Sequence, residues 1–220
     1  MHSKQPDPPR RRRSHLLPRA AFCAVLLGSS SALAEDWTLE LVDVLNNNLG
    51  TTAQWTSLAM EARGRPRISY HESTFTRLKY ASRAAGTWTV EIVDDSASVG
   101  EYNSLALDAN GTPHISYYDN SFNRLKYAVY DTLSSTWDVQ IVDESTSVGK
   151  FTSLALDASG HPFISYHDDL NGDLKVASNT GGGWVIETVG TAGNTGFYTS
   201  IALDASGNPR VSYSGAGTSS

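Results

Sequence analysis

Short apolar runs alternate along this chain with gaps rich in Gly, Pro, Asn and Asp. The clearest runs are Trp88–Val93, Tyr102–Asp108, His114–Asp119 and Arg124–Tyr130. Val, Ile, Tyr and Trp are frequent in them and favour strands, whereas the gap residues favour turns. No stretch keeps apolar residues at the spacing of three and four that marks an amphipathic helix. The pattern therefore predicts an all-β chain with almost no helix.

This pattern is repeated four times. A Trp opens each copy at intervals of about 50 residues, and Ser, Gly, Pro and Tyr follow in the same order. The opening residues are Trp37, Trp88, Trp137 and Trp184, which divide the chain into repeats 37–87, 88–136, 137–183 and 184–220. Four strands in ~45–50 residues are typical of a propeller blade. We expect a β-propeller-like array of four-stranded repeats of ~48 residues, the last one incomplete, with a β-solenoid as the alternative.

The segment D-A-N-G-T-P, from Asp108 to Pro113, predicts a hairpin turn in which the Asp side chain bonds to backbone amides ahead of it. Asp157 and Asp204 occupy the same place in later copies, and Glu61 does so in the first. A calcium loop draws several oxygens from alternating positions, whereas each of these turns offers one carboxylate. We therefore expect turn capping, with no metal ion and no cofactor.

The two ends of the array differ from its middle. The fourth copy stops after Tyr213 without the L-K-Y-A strand, and Trp37–Val42 has no preceding strands of its own. We expect Trp37–Val42 to complete the last blade by pairing with the C-terminal strands. Three alternatives stay open for the assembly: a four-bladed ring, an incomplete ring that closes as a homo-oligomer, or a fragment of a longer array without independent function.

Residues 1–34 have the features of a signal peptide. A basic stretch ends at Arg19, an apolar stretch runs from Ala20 to Gly28, and small residues precede the predicted cleavage point near Ala34–Glu35. Cleavage there would remove Cys23, the single Cys. We expect a secreted or periplasmic protein, exported by general secretion in preference to the twin-arginine route.

The charge of the remaining chain excludes one class of partner. Residues 35–220 carry 11 basic and 22 acidic residues, a net charge of −11, whereas a polyanion binder needs a basic surface. We expect no nucleic acid partner. No apolar run reaches the ~18–20 residues of a membrane-spanning helix, so we expect no transmembrane segment.

Two segments carry a resemblance to known repeats. Thr152–Tyr166 (T-S-L-A-L-D-A-S-G-H-P-F-I-S-Y) and Thr199–Tyr213 (T-S-I-A-L-D-A-S-G-N-P-R-V-S-Y) resemble bacterial exported β-propeller repeats with a D-x-x-G-N core. The resemblance covers residues 37–213 and implies an exported scaffold whose ligand is unassigned. The turn is also similar to the Asp-box of sialidases, but two residues separate Asp from Gly instead of one, and no sialidase arginine set can be placed.

One group of polar residues follows the I-S-Y strand and its equivalents. It comprises Glu72, Asp119 and Asp168, with Asn123 and Asn171 in the loops behind them. We expect each acid to form a cross-strand ion pair with a lysine after the loop. In the alternative, these residues form a polar rim that binds a ligand. The lysines are Lys79, Lys126 and Lys175.

Histidine and aromatic residues also recur. His71 and His167 share one repeat position, and we expect packing or edge hydrogen bonds there, because non-adjacent blades hold them too far apart to share a metal ion. The four opening Trp residues are expected to pack between blades, with sugar stacking as the alternative. A second aromatic set, two residues before each repeated Ser, is expected in the core. Its members are Trp55, Tyr102, Phe151 and Tyr198.

No catalytic constellation stands out in the sequence. The repeated Ser residues lie within strands instead of in a strained elbow, and no pair of acids differs from its repeats. We therefore expect a non-enzymatic, exported binding or scaffold protein that recognises a glycan or cell-surface polymer. The alternative is a hydrolase or lyase that acts on polysaccharide.

Overall fold

The computed structural model describes residues 24–27, 38–43 and 53–216, and all regular structure in these ranges is β-strand. The strands are β1 Ala24–Leu27, β2 Thr38–Leu41, β3 Ala53–Met60, β4 Pro66–Glu72, β5 Arg77–Ala84, β6 Thr87–Asp94, β7 Val99–Leu107, β8 Pro113–Asp119, β9 Arg124–Asp131, β10 Thr136–Asp143, β11 Val148–Leu156, β12 Pro162–Asp168, β13 Asp173–Ser178, β14 Val185–Gly190, β15 Asn194–Leu203 and β16 Pro209–Ala216. The all-β prediction is confirmed, and the four runs predicted in the second copy correspond to β6, β7, β8 and β9. The described residues include no helix that could cross a membrane.

Three antiparallel four-stranded sheets form the body of the molecule. Sheet 1 contains β3–β6, sheet 2 contains β7–β10 and sheet 3 contains β11–β14, while β15 and β16 form a half-sheet after them. The first strands of these units, β3, β7, β11 and β15, pack side by side as the inner strands. Sheets that radiate in sequence order from a set of inner strands make a β-propeller-like array. The predicted fold is confirmed in preference to a β-solenoid.

The sheets are displaced by one strand from the sequence repeats. β6, which contains Trp88, is the outer strand of sheet 1 and not the first strand of sheet 2. β10 and β14 are likewise the outer strands of sheets 2 and 3. Each sheet thus combines three strands of one repeat with the opening strand of the next, which ties successive repeats together through backbone hydrogen bonds.

The tryptophans at the start of these outer strands connect neighbouring sheets. Trp137 Nε1 donates to Glu91 on the outer strand of sheet 1 at 3.3 Å. Trp184 Nε1 donates to Gln140 on the outer strand of sheet 2 at 3.1 Å. Packing between blades is confirmed for these residues, whereas Trp37 lies outside the described residues.

A repeated serine joins each inner strand to the next one. The amides of Leu105, Leu154 and Ile201 donate to Oγ of Ser57, Ser104 and Ser153, at 3.0, 3.1 and 3.2 Å. A buried amide without a partner would cost about 1–3 kcal/mol, so the serine satisfies a group that the inner strand would otherwise leave unpaired. The repeated serines therefore have a structural role between sheets.

The two ends of the array stay open in the described part of the chain. The half-sheet has two strands, in agreement with the missing L-K-Y-A strand. β2 pairs with β1, and Val42 packs beside Ile68 and Tyr70 of sheet 1. The prediction that Trp37–Val42 completes the last blade is therefore wrong, because β2 occupies the place of an outer strand in front of sheet 1. β1 falls within the predicted signal peptide, and the other residues of that segment lie outside the described ranges.

Candidate functional site

Four aromatic side chains, one from each inner strand, lie side by side. We call this set, which comprises Trp55, Tyr102, Phe151 and Tyr198, the aromatic row. Successive ring centroids are 5.4, 4.8 and 4.6 Å apart, and neighbouring ring planes are inclined by 51° to 58°. The rings are therefore in contact along the whole row.

The backbone at the row is held in an unusual conformation. The four residues have φ between 48° and 56°, in the left-handed region that residues other than glycine rarely adopt. A β-bulge interrupts the pairing of the inner strand with its neighbour at each of them. Such backbone costs on the order of 1–3 kcal/mol per residue and is concentrated at functional sites. The fold thus maintains strain in order to orient these side chains.

The row is not part of the core. Tyr198 is 75% exposed and Trp55 36%, while Tyr102 and Phe151 are half-buried. The expectation that these aromatics are core residues is therefore wrong. Their apolar character predicted burial, but the bulge turns each ring toward the open surface along the inner strands.

Small polar side chains line a groove together with the rings. They are Thr56, Asn103, Thr152 and Thr199, each directly after a row residue, and the groove has a volume of about 320 Å³. Thr199 Oγ1 donates to the Phe151 carbonyl at 2.8 Å. Asn103 Nδ2 likewise bonds to the Trp55 carbonyl and, at 2.9 Å, to the carbonyl of Gly100. Asn103 and Thr199 thus fix the backbone of Trp55 and Phe151 in the row, whereas Thr152 Oγ1 donates to Ser116 Oγ at 2.7 Å.

A second layer, consisting of His71, Tyr118 and His167, lies behind the row. Each ring contacts the row residue of its own sheet. His71 Nδ1 is 2.8 Å from the Val99 carbonyl oxygen, and His167 Nδ1 is 2.6 Å from that of Thr195. Both histidines are buried, so the predicted packing and edge hydrogen bonding are confirmed.

One ion pair borders the groove. Lys150 Nζ is 2.9 Å from Asp169 Oδ2 and 5.9 Å from the centre of the Tyr118 ring. The bond to Asp169 raises the pKa of Lys150, and the same bond lowers the pKa of Asp169. Burial, followed by the charge of Glu101, raises the pKa of Tyr102. At neutral pH Tyr102 is therefore uncharged, and the ion pair beside the row is balanced.

The three predicted rim acids lie beneath the surface. The side chains of Glu72, Asp119 and Asp168 are fully buried. One oxygen of each accepts bonds from two backbone amides of the following loop, at 3.1 to 3.3 Å. These carboxylates hold the loops at the row end of the sheets and are not placed to touch a ligand directly.

The rim acids form ion pairs that agree in part with the expected cross-strand pairs. Asp168 is 2.9 Å from Lys175 Nζ, and Asp119 is 3.5 Å from Lys126 Nζ. The arginines at the start of β5 and β9 also contact these acids: Arg77 Nε is 2.9 Å from Glu72, and Arg124 Nε is 3.2 Å from Asp119. Lys79 bonds to Asp43 instead of to Glu72.

The two predicted rim asparagines are exposed in the loops at the row end of the sheets. Asn123 Oδ1 accepts the Tyr118 hydroxyl at 2.6 Å, and Asn171 Nδ2 donates to Asp168 at 2.9 Å. Asn123 is thus connected to the row through Tyr118. Of the five predicted rim residues, these two are accessible.

Sequence reasoning missed a buried charged group that joins neighbouring sheets. Asp94, at the end of the outer strand of sheet 1, accepts bonds from Tyr117 OH at 2.7 Å and Lys126 Nζ at 2.8 Å in sheet 2. The equivalent groups are Asp43 with Tyr70 and Lys79, and Asp143 with Tyr166 and Lys175. We call these three groups the Asp–Tyr–Lys clusters. The Asp that closes W-T-V-E-I-V-D was the sequence signal for them.

The charge state of the central cluster follows from its bonds. Burial alone would raise the pKa of Asp94, but bonds from Lys126, Ser96 and Tyr117 outweigh burial and hold the pKa below the ordinary 3.8. Burial, together with the Asp94 charge, raises the pKa of Tyr117 well above its ordinary value. The cluster therefore holds an ionised Asp against a neutral Tyr and a Lys.

The three turn aspartates cap their turns as predicted, whereas the Glu61 carboxylate bonds to the side chains of Arg65 and Arg67. Asp108 Oδ1 accepts bonds from the amides of Asn110 and Thr112 at 2.9 and 2.7 Å, and Asp157 and Asp204 make the same pair of bonds. Within the ranges that the structure describes, no group of three or more His, Cys, Asp or Glu side chains is placed to hold a metal ion.

Comparisons with known proteins show a shared fold. No protein-family model and no curated protein matches the chain. An exo-β-1,3-galactanase from Phanerochaete chrysosporium is similar, with a TM-score of 0.51 and 13% identity over 88% of this chain and 54% of that one. A GH43 β-1,3-galactosidase gives 0.51 and 9% over 80% and 81% of the two chains.

A fucose lectin from Kordia zhangzhouensis gives a TM-score of 0.45 and 15% identity, over 61% of this chain and 99% of the lectin. This chain spans about half the length of the galactanase. At such identities the two likenesses above 0.5 show architecture alone. The chain has the β-propeller-like fold that those two proteins share.

Proposed function

We propose that this protein binds a neutral glycan or cell-surface polymer along the aromatic row, as an exported binding protein. The observation that carries the proposal is the row itself. Four rings succeed one another at 4.6 to 5.4 Å, on a strained backbone and open to solvent. A fold that only needed core residues at these positions would gain nothing from the strain or the exposure.

Sugar rings match this surface chemically. The faces of aromatic rings are electron-rich, and the axial C–H groups of a pyranose carry the complementary partial charge. Thr56, which is exposed beside Trp55, offers a hydroxyl to a sugar that lies along the rings. Asn103 and Thr152 are buried and bonded to protein groups, so they support the row from below. An extended chain of sugars would engage successive rings, which favours a polymer over a single sugar.

The charge around the row favours a neutral ligand. The body of the chain has a net charge of −11 over residues 35–220, which opposes an acidic polymer. The Lys150–Asp169 pair at the border of the groove is balanced. A ligand without charge would lose no electrostatic free energy when it lies along the row.

The alternative, a polysaccharide hydrolase or lyase, needs carboxylates that face the sugar. The side chains that line the groove are aromatic rings, threonines and an asparagine. An exo-β-1,3-galactanase solved with β-1,3-galactotriose and a β-1,3-galactosidase have a similar architecture. This similarity supports carbohydrate as the ligand class. The composition of the groove favours binding over cleavage.

Titration calorimetry with β-1,3-galactotriose, cellotetraose and xylotetraose tests the proposal. We expect at least one of these neutral oligosaccharides to bind and to be recovered uncleaved. Tyr102→Ala should weaken that binding about tenfold, because one aromatic stacking contact is worth roughly 0.5–1.5 kcal/mol beyond the area it buries.

Tyr213→Ala is the matched control, since Tyr213 is also an exposed tyrosine but lies on β16 outside the row. It should leave the affinity unchanged. The proposal fails if the folded wild-type chain binds none of the oligosaccharides, or if the control variant weakens binding as much as the row variant does.

A further inference from the structure

A second cleft, of about 410 Å³, opens between sheets 1 and 2. Its lining includes Arg67, Tyr80, Ser82, Glu91 and Tyr130. Its size falls within the range of roughly 300–1,000 Å³ that is typical of small-molecule sites. Arg67 lies near the start of β4, whereas His71 behind the aromatic row lies near its end. At about 3.3 Å per residue the cleft is ~13 Å along the strand from the row, so it is a separate site.

The polar groups of the cleft carry opposite charges and have unused bonding capacity. The Arg67 side chain is 15% exposed, and its Nη2 bonds to Glu61. Glu91 accepts from Trp137 through Oε2, which leaves its other oxygen for a further donor. The Tyr80 hydroxyl bonds to no group in the described ranges. Burial raises the pKa of Tyr80 to about 12, although the charge of Arg67 acts to lower it, and the charge of Glu91 adds a smaller increase. The hydroxyl therefore stays protonated beside both charges.

The same location at the next junction, between sheets 2 and 3, has different residues. The strand register defines which positions are equivalent. In sheet 2, His114 replaces Arg67, Val129 replaces Ser82 and Gln140 replaces Glu91. There the tyrosine equivalent to Tyr80, Tyr127, has its hydroxyl bonded to His114 Nδ1. The repeat symmetry is thus broken in the first cleft, where the tyrosine hydroxyl is not bonded to the residue opposite it and Arg67 and Glu91 replace His114 and Gln140.

We propose that this first cleft binds one neutral, hydroxyl-rich ring, a monosaccharide unit, independently of the aromatic row. The hydroxyls of such a ring can both accept from the Arg67 guanidinium and donate to the Glu91 carboxylate. Tyr80 adds a hydroxyl, and Tyr130 supplies aromatic surface at the edge of the cleft. An anionic ligand would gain from Arg67 but would be repelled by Glu91, so the pairing of charges favours a neutral polyol.

The proposal gives the molecule two sites of different character at opposite ends of the sheets. The row presents successive rings, whereas the cleft presents one guanidinium, one carboxylate and two phenols. The row suits a chain of sugars, and the cleft suits a single terminal or free sugar.

The test replaces the cleft residues with those that the protein itself uses one junction later. The variant Arg67→His, Ser82→Val, Glu91→Gln copies the polar set between sheets 2 and 3. Saturation-transfer NMR with methyl galactoside, methyl glucoside and methyl xyloside at millimolar concentrations detects single-sugar binding. We expect one of these probes to bind the wild-type chain, and its signal to fall at least tenfold in the triple variant.

Two controls separate this site from the row and from a loss of folding. Arg210→His changes the same repeat position in the half-sheet, where the arginine is 72% exposed on Asp204, and should leave the signal unchanged. Tyr102→Ala should weaken oligosaccharide binding at the row while the methyl glycoside still binds. If thermal melting shows that the triple variant is unfolded, Glu91→Gln alone is used, since Gln140 already accepts the equivalent tryptophan bond.

Four results would overturn the proposal. The first is binding of the methyl glycoside that survives in the folded cleft variant. The second is loss of that binding in Tyr102→Ala, which would assign it to the row. The third is the absence of any methyl glycoside binding by the wild-type chain, and the fourth is glucuronate binding tighter than that of the neutral probes. Failure at the row leaves the cleft result intact, and the reverse also holds, so the two proposals fail separately.

Discussion

The Asp–Tyr–Lys clusters and the aromatic row both recur at the junctions between neighbouring sheets. They differ in how completely their side chains are buried and bonded to partners. In the central cluster, Asp94, Tyr117 and Lys126 are all buried, and each polar end has a partner. In the row, Tyr198 is largely exposed and the backbone is strained. Adjacent residues can serve both, since Tyr117 belongs to the cluster and Tyr118 contacts the row. A residue that recurs in every repeat can therefore hold the sheets together or present a surface, and its partners decide which.

The largest effect is expected in the central cluster. Asp94→Ala leaves the buried Lys126 ammonium without its closest carboxylate and the Tyr117 hydroxyl without an acceptor. Removal of one partner of a buried ion pair typically costs about 3–5 kcal/mol. Urea denaturation measures the change in the free energy of unfolding. Asp95→Ala is the control, because Asp95 is exposed, and a loss as large in that variant would contradict the role of the cluster.

A slightly smaller loss of stability is expected from a substitution on the inner strand of sheet 3, two residues before Phe151, where that strand approaches sheet 2. Gly149 has φ of 103°, and a Cβ there would lie 2.8 Å from the Leu125 Cα. Gly149→Ala should lower the free energy of unfolding by more than about 2 kcal/mol, since both backbone strain and overpacking contribute. Gly181→Ala, with φ of 107° and open space around it, isolates the strain and should cost less. Equal losses would show that the close contact does not matter.

The clusters also predict a dependence of stability on pH. Because the folded-state pKa of Asp94 lies below the ordinary 3.8, its contribution is complete above that pH and is lost as pH falls through the lower folded-state value. Burial alone would raise the pKa of Asp143, but bonds from Ser145 and Tyr166 and the charge of Lys175 lower it, so Asp143 acts in the same direction. The melting temperature should fall in acid and fall less steeply in Asp94→Asn. An identical acid slope in that variant would contradict this account.

The smallest effect on stability is expected in the row. Tyr198→Gly removes an exposed ring from a position with φ of 50° that glycine adopts without strain. The free energy of unfolding should change by less than about 0.5 kcal/mol, because little burial is lost. The comparison with the clusters would break down if this variant were as unstable as Asp94→Ala in the same urea titration.

Local sequence patterns predicted the strands and the turns, because strand propensity and turn chemistry act over a few residues. They did not predict that the Trp88 segment joins the sheet before it, since that depends on which neighbour a strand meets after the chain has turned. Glu72 was paired with Lys79 by register alone, whereas in the structure Arg77 contacts Glu72 and Lys79 pairs with Asp43, which comes from outside sheet 1.

The row was assigned to the core because its residues are apolar. The bulge that exposes them is a property of the backbone, although V-G-E-Y at 99–102 and V-G-K-F at 148–151 signal it. The cleft between sheets 1 and 2 could not be found in one sequence, because its five named lining residues come from β4, β5, β6 and β9.

The one-strand displacement between repeats and sheets decides where the chain can be cut or circularly joined. A fragment that ends before Trp88 removes the outer strand from sheet 1 and leaves β5 with an open edge. A break in the loops at 95–98 or 144–147 falls between complete sheets. A piece covering residues 53–143 therefore keeps two whole sheets, the first cleft and half of the row, and proteolysis of the folded protein should release pieces with these boundaries instead of the sequence repeats.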